Sequence, residues 1–234
     1  AIEHHLVEHG GYTCGDPKTY DPERALFPDH VVAFIEATQS KNWKTLTDLH
    51  GDRATDTLMD SLGKELASKG SLNVLRHGFK CFGKTFKLAH FSPNSGLNQE
   101  AWDDYAKNNL TVTRQVRFDP KDQSQSIDVV LSVNGLPVVT LELKNPMTNQ
   151  NVEHAKYQYR TDRDPRCPLF RFKERALVHF AVDPDLAFMT TKLAGKSTFF
   201  LPFNRGNGHG AGNPTVADNY RTAYLWEEVL VKDS

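Results

Sequence analysis

The chain has 234 residues, of which 38% are hydrophobic and 24% are charged, a composition typical of a globular protein. The formal net charge of −1 excludes a strongly basic overall surface, so any affinity for an anionic polymer must come from local charge. No run of about 18 apolar residues occurs, and no membrane-spanning helix is expected.

The two ends and the cysteines indicate the context of the chain. It begins at Ala1 without the basic and apolar segments of a secretory signal and stops at Ser234, so we expect both ends to be cropped from a longer protein. The cysteines Cys14, Cys81 and Cys167 are odd in number and lack zinc-finger spacing. This favours reduced thiols in a cytoplasmic protein.

The first two-fifths of the chain have helical periodicity. Residues 29–39 place apolar side chains at helical spacing. Residues 54–68 repeat leucine at every fourth position, and Gly70 follows as a C-terminal cap. We therefore predict two helices in this part of the chain.

The middle of the chain changes to the period-two alternation of strands. The predicted strands are 84–91, 110–117, 126–133, 136–143, 176–181 and 198–202. Helices are predicted at 150–160 and from about Tyr220, and the Gly/Asn-rich segment 204–214 predicts a loop, either mobile or a plain surface loop. The fold class is therefore α/β (α+β), with a mixed central sheet flanked by helices.

Three charged residues stand in two otherwise apolar strands, Asp128 in the first and Glu142 and Lys144 in the second. Burial of an unpaired charge is costly, so these residues need one another or a partner. Because Glu142 and Lys144 are two residues apart, they share a face of their strand.

The turn between these strands decides whether Asp128 joins the same face. A two-residue turn at Asn134-Gly135, followed by regular pairing, leaves Asp128 on the face opposite to Glu142. A three-residue turn places Asp128 opposite Thr140 and diagonal to Glu142 on one face. We therefore predict a bulged three-residue turn, or an equivalent bulge between Asp128 and the turn.

Two carboxylates on one face can bind a divalent cation through hard oxygen ligands, which favours Mg²⁺ with Mn²⁺ as a substitute. Such a cation activates water and polarises a phosphoryl oxygen, and an adjacent lysine stabilises the developing charge. The spacing of Asp128, Glu142 and Lys144 is similar to the PD-(D/E)xK nuclease core. The pattern alone is also compatible with a solvated hairpin face.

Beyond these three residues, the chain resembles the restriction (R) subunit of type I restriction-modification enzymes. The resemblance includes NLTVTRQV, SIDVVL, VNGLP and ELKNP, and later PLF, RALVHFAVD, MTT and FLPFN. It ends with the Gly/Asn-rich run from 206 to 214 and covers nearly the whole chain.

The resemblance implies an endonuclease domain over 1–234. Its helical N-terminal part covers about 1–70 and its nuclease core about 71–203. The loop 204–214 and a C-terminal helix then lead to a motor domain outside this chain.

The resemblance assigns catalysis to Asp128, Glu142 and Lys144, with the metal on Asp128 and Glu142. The family also carries a Gln-x-x-x-Tyr motif on the next helix. Gln158 matches its glutamine, but Asp162 stands where the tyrosine is expected. Tyr157 and Tyr159 are nearby candidates for the tyrosine's role.

Basic residues near these positions are candidate DNA contacts, because arginine is a bidentate partner of phosphate. We predict such contacts for Arg114, Arg160 and Arg163, although a structural ion pair is an equal alternative for Arg114. An acid on the first helix, Glu3 or Glu8, completes many sites of this kind, but a solvated side chain is the simpler interpretation of both.

The family further implies double-stranded DNA, the modification and specificity subunits and the translocase domains of the same protein as partners. It implies no membrane, and ATP enters only through the absent motor because no Walker A motif occurs here. Two other readings remain: a DNA-guiding and docking module whose cleavage requires partners, and a stand-alone repair nuclease of the same superfamily.

Overall fold

The computed structural model describes residues 1–145, 147 and 149–234. The strands are β1 (Tyr12–Cys14), β2 (Phe79–Cys81), β3 (Lys84–Phe86), β4 (Leu110–Val116), β5 (Ile127–Val133), β6 (Leu136–Leu143), β7 (Val178–Val182), β8 (Ala187–Thr190) and β9 (Leu201–Pro202). The α-helices are α1 (Ile2–Glu8), α2 (Pro28–His50), α3 (Ala54–Lys69), α4 (Ser71–His77), α5 (Gln99–Ala106) and α6 (Val152–Thr161), and a π-helical turn covers Leu225–Val229.

A seven-stranded mixed sheet with the order β1-β4-β5-β6-β7-β8-β9 forms the centre of the molecule. Strands β4, β5 and β6 are antiparallel neighbours. Helix α6 then leads to β7, which pairs parallel to β6. At one edge β1 pairs parallel to β4, so the N-terminal part, predicted as helical, also contributes a strand to the sheet. The predicted mixed sheet with flanking helices is confirmed.

Apolar side chains cover both faces of this sheet. The face toward α6 buries Val116, Phe118, Ile127, Val130, Ala155, Tyr159 and Phe170. The opposite face packs on α1 and the C-terminal segment through Leu6, Val112, Val129, Leu131, Leu141, Leu225 and Trp226. A separate cluster joins α2 and α3 to the small β2–β3 hairpin. Both faces of the central sheet are therefore packed against other elements.

Helix α2 is longer than the predicted 29–39. It continues to His50 past a non-helical residue, Gln39, which has φ −140°. The Gln39 amide bonds the backbone of Lys87 through both its oxygen and its nitrogen, at 2.7 and 2.9 Å. A tertiary contact therefore kinks the helix where its apolar periodicity weakens.

Two predicted strands are shorter in the structure. The strand predicted at 84–91 ends at Phe86, where the backbone of Lys87 turns to bond Gln39, and the one at 198–202 keeps only Leu201–Pro202. The pattern analysis did not predict α4, α5, β1, β2 or β8, because these elements are too short to repeat their period more than about twice. Among the described residues, no helix combines the length and apolarity that crossing a bilayer requires.

Candidate active site

The turn between β5 and β6 consists of two residues, Asn134 and Gly135, with φ of 49° and 86°. Positive φ at both positions is typical of a type I′ turn, and Val133 accordingly pairs with Leu136. The predicted three-residue turn is therefore wrong. The turn packs closely against Phe27, whose N–H donates to the Gly135 carbonyl at 2.9 Å, and a Cβ atom on Gly135 would lie 2.5 Å from the carbonyl oxygen of Phe27.

A bulge in β6 restores the pairing that brings the acids together. Leu131 pairs with Val139 but Ser132 pairs with Pro137, so one residue of β6 has no partner. Proline has no N–H to donate to the sheet, which suits it to such an irregularity. The alternative prediction, a bulge between Asp128 and the turn, is confirmed.

Because of this bulge, Asp128 lies opposite Glu142 rather than diagonal to it. Val129 pairs with Leu141, and one further step of the same register aligns the two acids. Directly opposed residues share a face of the sheet, with Cβ atoms roughly 4.5–5.5 Å apart. The two carboxyl groups are close enough to share a hydrogen bond, and this contact contributes to the raised pKa of Glu142.

Glu142 is buried and ion-paired with Arg163, which follows the end of α6. The two residues are 1% and 5% exposed. Arg163 donates from Nε and Nη2 to the Oε1 atom of Glu142, at 2.7 and 2.6 Å. It also donates to the Ser126 carbonyl at 3.0 Å and lies over the Phe118 ring. The structure therefore corrects the predicted DNA contact of Arg163, because its guanidinium is almost fully buried and bonded to Glu142 and Ser126.

The electrostatics of the pair favour additional positive charge. Burial raises the pKa of Glu142, Arg163 opposes this shift, and Asp128 adds to it. A buried acid has a raised pKa when the positive charge around it does not balance desolvation and like-charge repulsion. This is the environment expected of a functional carboxylate pair.

Both oxygens of the half-buried Asp128 accept a hydrogen bond. Oδ2 accepts from the backbone N–H of Leu143 at 2.8 Å, and Oδ1 accepts from Nε2 of Gln115 at 3.0 Å. The carboxylate is therefore oriented by β6 on one side and by β4 on the other.

Lys144 follows the last residue of β6, where its backbone N–H donates to the Val182 carbonyl at 2.9 Å. Within the described part of the chain its amine has no hydrogen bond or ion pair. Lys144 lines a cleft of about 350 Å³ together with Arg114 and Glu3, and neither acid of the pair lines this cleft. The half-buried amine is thus free to bind a ligand.

One of the two candidate acids on the first helix pairs with Arg114 of β4. Arg114 lies 3.3 Å from Glu3 in an ion pair, and the Arg114 side chain is 62% exposed. Glu8 is exposed at the end of α1. The ion-pair alternative for Arg114 is therefore observed, while its exposure leaves room for a phosphate.

Helix α6 carries Gln158 and both candidate tyrosines. The Oε1 atom of Gln158 is buried, with no hydrogen-bond partner among the described residues. Tyr157 is 62% exposed, whereas Tyr159 is fully buried and the charge of Glu142 contributes to raising its pKa. Of the two tyrosines, Tyr159 is therefore the one beside the acids. Asp162 ends α6 as an exposed cap.

A buried hydrogen-bonded chain continues from Tyr159 beneath the site. Its hydroxyl bonds Oγ1 of Thr140 at 2.8 Å, and Thr140 contacts Nδ1 of His179 at 2.7 Å. Burial lowers the pKa of His179 to about 3, so the ring is neutral at physiological pH. Tyr159, Thr140 and His179 therefore form a buried, hydrogen-bonded and uncharged group of side chains next to the acid pair.

His179 should make the protein less stable in acid. In the unfolded chain His179 binds a proton below about pH 6.5, whereas in the folded chain its buried ring resists protonation down to about pH 3. The stability that His179 contributes is thus present above pH 6.5 and lost as the pH falls. We expect its share of the unfolding free energy to decrease by about 1.4 kcal/mol per pH unit, measurable by urea unfolding.

Two histidine variants isolate the contribution of His179 to the dependence of stability on pH. His179→Gln should flatten the dependence of stability on pH between about pH 6.5 and pH 4. His209→Gln, at an exposed position, should retain the wild-type slope. An unchanged slope in His179→Gln would contradict the assignment.

Two further features concern the approach of an anionic ligand. Arg160 is half-buried and donates from Nε to the Thr198 carbonyl at 3.2 Å. A cleft of about 600 Å³ lies beside Gln115 and is lined by the exposed cations Lys18 and Arg117. The sequence analysis missed these two cations, which have no distinctive spacing, although Arg117 stands close to Arg114.

Asp128 and Glu142 fit a hard divalent cation through the chemistry of their oxygen atoms. Mg²⁺ is usually bound through one or two carboxylates, with waters and substrate phosphates completing its octahedron. No group of three or more His, Cys, Asp or Glu side chains suited to a metal occurs among the described residues. The pair therefore suits a cation that keeps several waters better than one enclosed by protein ligands.

The chain matches a known protein family. A family model described as "Type I restriction enzyme R protein N terminus" matches residues 2–198, which include both acids and every strand from β1 to β8. No curated protein matches the chain.

Proposed function

The chain belongs to the family of type I restriction enzyme R protein N termini, and on this premise we propose that it is a metal-dependent endonuclease module. Its reaction is the hydrolysis of phosphodiester bonds in unmodified, foreign double-stranded DNA. Family membership supports a restriction nuclease module, and the chemistry below is our proposal for how this module works.

The opposed pair of Asp128 and Glu142 carries the proposal. Two carboxyl groups in contact, one of them 1% exposed, are costly for folding, and such groups cluster at functional sites. Their strands hold them on one face, and Arg163 and the backbone of Leu143 hold each in place. This is the preorganisation that a catalytic centre requires.

Asp128 and Glu142 would hold the cation, Mg²⁺ with Mn²⁺ as a substitute. When bound there, it supplies a water of lowered pKa and neutralises charge on the phosphate. Lys144 would reach the phosphate from the neighbouring cleft that it lines, where its amine stabilises charge developing on the phosphate oxygens. Gln158 remains a candidate because its unpaired Oε1 atom is available to a donor such as a water molecule.

The DNA is bound through its backbone. Arg114 and Arg160 retain their proposed phosphate contacts, and Lys18 and Arg117 extend the basic surface along the cleft beside Gln115. Binding through so few cations on a chain of net charge −1 should be weak and sensitive to salt.

The complete enzyme supplies what this chain lacks. We propose that it acts in the cytoplasm with modification and specificity subunits, and that ATP is used only by the translocase domains of the R subunit. Sequence recognition then belongs to the partners, and this domain cuts the DNA that the motor delivers.

Substitution of Lys144 in the complete R subunit, assembled with its partners, tests the function. Lys144→Ala should lower Mg²⁺-dependent DNA cleavage about 10²-fold, the effect of removing one group that stabilises the transition state. Lys64→Ala, on an exposed position of α3, is the control and should cleave as the wild type does. Cleavage by Lys144→Ala at the wild-type rate would favour the DNA-guiding role instead.

A further inference from the structure

Strand β4 has an irregular backbone directly beside the acid pair. Gln115 has φ +52°, in the left-handed region, although it lies within a strand. The residues around it pair regularly with β5, Arg114 with Val129 and Val116 with Ile127. This register leaves Gln115 facing Asp128. A residue other than glycine in this conformation is strained and persists only where the surroundings require it.

The side chain of Gln115 bonds two partners on β5 and the loop before it. Its Nε2 donates to Oδ1 of Asp128 at 3.0 Å, while its Oε1 accepts from the hydroxyl of Ser126 at 2.8 Å. An ionised carboxylate only accepts hydrogen bonds, so the amide nitrogen must face Asp128. Ser126 therefore holds the amide in the orientation that serves the acid.

The second oxygen of Asp128 accepts the N–H of Leu143, so Gln115 and Leu143 together determine the plane of the carboxylate. The Leu143 contact belongs to the backbone of β6 and forms with the strand. The Gln115 contact forms across the strand pair, because a residue opposite Asp128 shares its face of the sheet.

We propose that Gln115 is a positioning residue that orients Asp128 for cation binding. This inference rests on the proposed function, because it assigns Asp128 to the metal. Partners of metal ligands typically change metal affinity or activity 10- to 100-fold, about the effect expected here.

Two substitutions separate the side chain from the backbone. Gln115→Gly removes the amide and relieves the strain, and Gln115→Ala removes the amide but keeps the strain. Both should weaken Mn²⁺ binding to the chain about 10- to 100-fold, as measured by the electron paramagnetic resonance of free Mn²⁺. Gln115→Gly should unfold at a higher urea concentration than Gln115→Ala, because glycine adopts the positive φ without strain. A role in folding alone would not change Mn²⁺ affinity.

Gln99→Ala is the matched control, because Gln99 also donates its amide to a carboxylate, that of Asp103 at 2.9 Å, but on the exposed helix α5. It should bind Mn²⁺ as the wild type does. If Asp128→Asn loses Mn²⁺ binding while both Gln115 variants keep it, the positioning role is overturned and the metal site stands. If the wild type itself binds no Mn²⁺, the metal site of the proposed function fails and the positioning role fails with it.

Discussion

Asp128→Asn is expected to lower Mg²⁺-dependent DNA cleavage by the assembled enzyme on the order of 10³-fold, since a metal site contributes several kcal/mol of transition-state stabilisation. The substitution keeps the shape of the side chain but removes one of two carboxylates. Asparagine can still accept one of the hydrogen bonds from Leu143 and Gln115. The effect should therefore come from lost charge and not from lost packing.

The unfolding free energy of Asp128→Asn is the accompanying measurement. Asp128 contributes to raising the pKa of its buried neighbour Glu142, so removal of this charge relieves repulsion in the folded state. That gain offsets the loss of one hydrogen bond, and the unfolding free energy should stay within about 1 kcal/mol of the wild type. Asp52→Asn, at an exposed position, should alter neither property. Wild-type cleavage by Asp128→Asn would remove the basis for the proposed site.

Arg163→Met is expected to destabilise the chain by about 3–5 kcal/mol, because it leaves Glu142 buried beside Asp128 without a counter-charge. Arg163 is 5% exposed, and methionine fills part of its volume without replacing its four hydrogen-bonding contacts to Glu142, Ser126 and Gln125. Urea unfolding of the chain measures the loss.

The double variant Arg163→Met/Glu142→Gln separates charge from packing. Because it removes both charges, it should recover much of the stability that Arg163→Met loses. Arg166→Met is the control, since Arg166 pairs with Asp164 on the surface and should leave the stability nearly unchanged. Equal stability of the Arg163 and Arg166 variants would show that the buried pair is not what holds Glu142.

Sequence pattern alone was sufficient to locate the two strands of the site. The alternation in 126–133 and 136–143, with Asn134-Gly135 between them, identified a hairpin whose observed bounds differ from prediction by one residue at one end. The same pattern required an irregularity if Asp128 was to face Glu142. Local periodicity encodes this information because a strand alternates its side chains whatever it packs against.

The position of the bulge in β6 depends on contacts between residues that lie far apart in the sequence. The carbonyl of Phe27 leaves Gly135 no room for a side chain, and Asn134 bonds the backbone of Asn109 through its N–H and its side chain. These contacts hold the tight turn, so the extra residue appears near Pro137 instead. No pattern within the hairpin contains this information.

The sequence by itself determined which strands carry the acids and, through the family resemblance, what kind of protein this is. Only the tertiary structure decided the partners of those acids, with Arg163 enclosed beside Glu142 and Gln115 strained against Asp128. The reason is physical: periodicity follows from the geometry of one strand, whereas burial and ion pairing arise when strands and helices far apart in the chain pack together.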